Sequence, residues 1–126
     1  KEYSPDELMA AVYSKDGSKA FNILNNLLNS KGLNEVYLLS MISRYYFDML
    51  TFKTQGVAQM DPRSMYQKYK LWGDSVKLAK TYHNAVNINS LEHSVNKLLE
   101  TDKKLKTSML DPKILMTSLV EELLNA

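Results

Sequence analysis

Apolar residues along the 126-residue chain recur at intervals of three and four, the spacing that lines one face of an α-helix. Ala20, Ile23, Leu24, Leu27 and Leu28 form one such face, and the stretch from Leu38 to Phe52 forms a longer one. The stops between them coincide with the few breakers. Ser4-Pro5-Asp6-Glu7 joins an N-cap serine, a proline at the first helical position and a glutamate three residues after the cap. It opens a helix over 5–14, broken at Lys15-Asp16-Gly17. A second helix is expected over 18–30, ended by Gly32 as a left-handed residue. Asn34 caps a long third helix that reaches residue 54 and closes at Gly56. Asp61-Pro62 starts a short helix through residue 69, and Leu71-Trp72-Gly73 reads as a turn. Asp74 or Ser75 caps a fifth helix over 74–85. The segment 86–89 alternates like a strand but has no partner, so it reads as a linker. Asn89 with Glu92 makes another capping box that opens a helix to residue 108, and Asp111-Pro112 starts the last one, to residue 124. The expected fold is therefore all-α, a compact bundle of six to seven helices in one domain.

Two helices carry most of the information. On the third, Leu38, Leu39, Ile42, Tyr45, Tyr46, Met49, Leu50 and Phe52 cover an arc of roughly 180°, which suits a helix packed by several neighbours. Phe47 falls outside the arc, between Ser40 and Ser43. It either anchors a partner or lies under the loop over 56–60. On the sixth, Leu91, Val95, Leu98, Leu105 and Met109 make a stripe with Asp102 at an apolar position. A carboxylate there needs donors, and Lys106, four residues on, offers one in the favourable acid-before-base order. No second carboxylate or histidine shares that face, so the pair Asp102–Lys106 reads as structural rather than catalytic.

Composition narrows the chemistry. The chain has no cysteine, which excludes disulfides, thiolate metal sites and cysteine nucleophiles. His83 and His93 have no metal-ligand spacing, and no phosphate-binding glycine loop or nucleophile elbow is present. No metal or cofactor is expected. The net charge of +2 is too small for binding driven by charge alone. Lys97, Lys103, Lys104 and Lys106 read as a solvated helix face. Trp72, the single tryptophan, either plugs a helix junction or stacks on a base, with Lys68 and Lys70 close by. The longest apolar runs are too short to span a membrane, and the start at Lys1 rather than Met is expected of an excised domain or a processed product.

Several segments, in order, resemble a known family. Asp6-Glu7-Leu8-Met9-Ala10-Ala11-Val12 and Lys19-Ala20-Phe21-Asn22-Ile23-Leu24 are similar to an opening helix and a "kAl-x-iL" segment. The run from Tyr37 to Leu50, with Arg44 midway, is similar to a long apolar helix bearing a central arginine. Leu98-Leu99-Glu100-Thr101-Asp102-Lys103-Lys104-Leu105-Lys106 resembles the signature "LL-x-x-D-x-x-L-K", and residues 115–124 look like a closing helix. Together they resemble the C-terminal helical domain of the bacterial DNA polymerase III delta subunit, a component of the sliding-clamp loader. The segment 57–61 has no counterpart motif. The resemblance implies a non-enzymatic module in a collar of C-terminal helical domains, cytoplasmic, partnered by the motor subunits (tau and gamma) and delta-prime. The sliding clamp would be reached only through domains absent from this chain. Arg44, Phe47, Leu119 and Leu123 are the expected partner-binding residues. The alternative is contact with single-stranded template through Trp72, Lys68 and Lys70.

Overall fold

A computed structural model describes residues 2–30 and 32–126. Among these residues there are seven α-helices and no strand: α1 (Pro5–Tyr13), α2 (Gly17–Leu28), α3 (Glu35–Thr54), α4 (Pro62–Tyr69), α5 (Asp74–Tyr82), α6 (Ile88–Thr107) and α7 (Pro112–Leu124). Each of the three prolines stands at a first helical position, where its missing N–H costs no hydrogen bond. The residue before it caps the helix. The Glu7 carboxylate accepts from the Ser4 N–H at 3.2 Å, Asp61 accepts from the Ser64 N–H at 2.8 Å, and Asp111 accepts from the Lys113 N–H at 2.8 Å. Asn34 does the same for α3, accepting from the Tyr37 N–H at 2.7 Å. Each such cap stabilises its helix by about 1 kcal/mol.

Several boundaries differ from the sequence reading. Helix α2 ends at Leu28 with Asn29 as its C-cap, so Gly32, though left-handed (φ 82°), lies beyond the helix and does not end it. Val57–Gln59 is a single 3-10 turn, entered through Gly56 in the left-handed conformation (φ 61°). Helix α5 ends at Tyr82, three residues early. Helix α6 starts at Ile88 because Asn87, not Asn89, caps it, accepting from the Ser90 N–H at 2.7 Å. Two asparagines at i and i+2 each offer a cap, and sequence alone does not rank them.

The core gathers around α3, which packs against α6, α5 and α1, while α7 closes over α6 and α2. Leu38, Leu39, Ile42, Tyr45, Tyr46, Met49 and Phe52 are all buried, as the arc on α3 requires, and Leu50 is partly so. Leu8, Ile23, Leu24, Leu91, Leu98, Met116 and Val120 meet them from the other helices. Removing such side chains from water stabilises the fold by about 1.5–3 kcal/mol each.

Helix α6 is rotated from the expected stripe. Its buried residues are Leu91, Ser94, Leu98 and Thr101, so Val95 and Asp102 move toward solvent. The two inward polar residues are satisfied: Ser94 shares a hydrogen bond with Tyr46, and the Thr101 hydroxyl donates to the Lys97 carbonyl at 2.9 Å. Met109 lies beyond the end of α6 and is fully exposed.

Candidate interaction surface

The outer face of α3 leaves unusually large apolar side chains in water. Val36, Tyr37 and Phe47 are exposed along it, Trp72 flanks it from the α4–α5 turn, and Leu99 flanks it from α6. Apolar side chains that gather on one face mark a contact surface more often than scattered ones do. Phe47, 45% exposed, lines a shallow hollow with Ser43, Leu98 and Leu99, so it opens toward α6 rather than lying under 56–60.

Arg44 stands in the middle of this face. It borders the hollow with Phe47 on one side, and a second hollow with Met41, Tyr45 and Trp72 on the other. Its guanidinium carbon lies 5.0 Å from the centroid of the Trp72 ring, within cation–π range. Its Nε approaches the Asp48 carboxylate at 3.6 Å, and the buried Ser75 hydroxyl donates to the same carboxylate oxygen at 2.7 Å. Gly73 makes this arrangement reachable. Its φ of 70° with ψ of −145° is a conformation open essentially to glycine, and it turns the chain between Trp72 and α5.

The α4–α5 corner holds two further cation–aromatic contacts. Lys70 Nζ lies 5.0 Å from the Tyr66 ring and Lys68 Nζ lies 5.7 Å from the Tyr69 ring. Lys70 itself ends α4 in the left-handed conformation (φ 59°).

The remaining expected residues separate from this surface. Leu119 and Leu123 are each 2% exposed and belong to the core, so they present nothing to a partner. The apolar rows of α7 that look like a docking face in sequence are the rows that seal the bundle. On the outer side of α7 stand Lys113, Ile114, Thr117 and Glu121 instead. Asp102 does pair with Lys106, at 2.9 Å, but both side chains are about half exposed or more, so the pair sits on the surface rather than on a buried stripe. His93 lies 3.8 Å from Glu122, and His83 packs against Phe52 at a tilt of 59°, with centroids 5.3 Å apart. Among the described residues, no group of three histidines or carboxylates is placed to hold a metal ion.

Val36, Tyr37 and Leu99 escaped the sequence reading. A signal for one of them was present: Leu98 and Leu99 are adjacent, and a helix with one buried stripe cannot bury both fully. Asp48 and Ser75, 27 residues apart, carried no local signal of their contact.

These features define an all-α domain whose most developed surface is an apolar face with a cation at its centre. The sequence profile of the DNA polymerase III delta subunit, C-terminal domain, matches residues 7–123, and the chain belongs to that family. Among solved structures, the Bacillus subtilis DNA clamp loader delta protein (YqeN) is similar, with a TM-score of 0.83 at 19% identity over 97% of this chain. The matched region is 36% of that protein, so this chain spans about a third of its length. A search of curated proteins finds no match. No helix among the described residues is long and apolar enough to cross a membrane.

Proposed function

We propose that this chain is a non-catalytic assembly module of a DNA polymerase III clamp loader. It holds a delta subunit in the oligomeric collar so that the sliding clamp can be opened and loaded on primed DNA. The partners are the motor subunits (tau and gamma) and delta-prime, in the cytoplasmic replisome, and contact with the clamp falls to other domains. Family membership supplies the setting. The observation that carries the assignment of the surface is the face of α3, where Phe47, Trp72 and Leu99 surround Arg44. Aromatic residues and arginine at the centre of an apolar patch are the residues that dominate binding energy at protein interfaces.

The test mixes the chain with the motor subunit and delta-prime of the same organism and follows complex formation by light scattering. A stable complex is expected, weakened about tenfold or more by Phe47→Ala or Arg44→Ala at unchanged helicity. Absence of any complex would overturn the proposal.

A second reading has its own observation. Three cation–aromatic contacts, at Trp72, Tyr66 and Tyr69, crowd the α4–α5 corner, and stacked aromatics beside cations suit single-stranded DNA. On this reading Trp72, Lys68 and Lys70 touch template strand. Binding of an oligothymidylate that weakens steeply with salt and fails in Trp72→Ala supports it, and no binding at low salt removes it.

A further inference from the structure

Asp48 is placed oddly for a residue that merely stabilises its helix. It follows Arg44 by four positions, and base-before-acid is the less favourable order with respect to the helix dipole. The ion pair is long, at 3.6 Å, and a pair of that kind contributes little to stability. Yet the Asp48 side chain is only 18% exposed, and α5 supplies a buried serine whose hydroxyl reaches it at 2.7 Å. The carboxylate is thus fixed from α5 while it faces Arg44, and Arg44 in turn lies over the indole of Trp72.

We propose that Asp48 is a positioning residue: anchored by Ser75, it holds Arg44 against Trp72 so that the indole meets a partner subunit as a pre-ordered anchor. This rests on the reading of the α3 face as the docking surface. Trp72 is 56% exposed, and an exposed side chain on a turn otherwise loses rotamer freedom when it docks. Ordering it beforehand removes that loss. Freezing one such side chain changes affinity by roughly two- to tenfold, which is the effect assigned to Asp48.

Trp72 is the only tryptophan of the chain, so its fluorescence reports on this contact alone. Time-resolved anisotropy and acrylamide quenching are measured on the chain, on Asp48→Asn and on Ser75→Ala, with light scattering against the motor subunit and delta-prime. Ser75→Ala serves if Asp48→Asn does not fold. The expected result is a more mobile, more quenchable Trp72 at unchanged helicity, with subunit affinity lowered about two- to tenfold. Unchanged Trp72 mobility in both variants overturns the proposal. A mobilised Trp72 with unchanged affinity also overturns it, and if Arg44→Ala still weakens the complex, the docking surface itself stands. If Trp72→Ala and Arg44→Ala both leave subunit binding intact, the surface reading fails and the positioning role fails with it. Loss confined to oligothymidylate binding overturns the subunit as the partner that Trp72 meets.

Discussion

Raising the pH should unfold this protein through two tyrosines at its centre. Tyr13 and Tyr46 are 4% and 3% exposed, with ring centroids 5.4 Å apart in an edge-on contact. The Tyr13 hydroxyl donates to the Tyr45 carbonyl at 3.3 Å. Burial pushes the Tyr13 phenol well above its ordinary range, and the neighbouring Tyr46 and Asp48 push the same way. Burial also drives the Tyr46 phenol far up, against a smaller opposing effect of its hydrogen bond with Ser94. Above about pH 10 an unfolded chain releases both protons while the folded chain keeps them. The folded state then binds more protons, so stability falls as pH rises. The loss approaches about 1.4 kcal/mol per phenol per pH unit, or about 2.7 kcal/mol for the pair. Against a total of about 5–15 kcal/mol for a domain, that is a large fraction. Tyr45, raised chiefly by burial and pulled back in part by Arg44, adds to the slope to a smaller degree. Lys15 acts in the opposite sense, because burial lowers it and the unfolded chain holds its proton longer, but it is largely exposed and its effect is small. The assay is urea unfolding followed by circular dichroism at about pH 9, 10 and 11, since the exposed Trp72 is a poor reporter of the core. Tyr46→Phe should remove close to half of the slope. A wild-type stability that stays flat over this range, or a Tyr46→Phe slope equal to the wild type's, would refute the reasoning.

Other variants test the placement of single residues. Leu119→Ala and Leu123→Ala should each lower stability by about 2–5 kcal/mol, read as a fall in Tm, because both side chains sit in the core. Asn87→Ala should cost about 0.5–2 kcal/mol and Asn89→Ala far less, since only Asn87 caps α6; equal effects in urea titrations would contradict that. Asp102→Asn should shift stability by less than about 0.5 kcal/mol, with a Tm close to the wild type's, as befits an exposed pair.

The seven helices were legible in the sequence because their signals are local. A proline with a capping residue before it, or a glycine after the last apolar position, acts within one turn and needs no tertiary partner. The buried arc of α3 was equally readable, since a helix packed on several sides must be apolar over much of its circumference. What the sequence by itself determined was thus which segments are helical and most of which faces turn inward. Only the tertiary structure decided the rotation of α6: Ser94 faces inward to meet Tyr46 of α3, Thr101 satisfies its hydroxyl on the Lys97 carbonyl one turn back in its own helix, and Asp102 is shifted to the surface. It likewise decided that the leucines of α7 seal the core while Phe47 and Leu99 do not. A leucine's side chain is the same in a core and in an interface; which it joins depends on the helices packed against it. The contact of Trp72, Arg44, Asp48 and Ser75 joins two separate stretches of chain, 44–48 and 72–75, and such proximity exists only after α3 and α5 have packed.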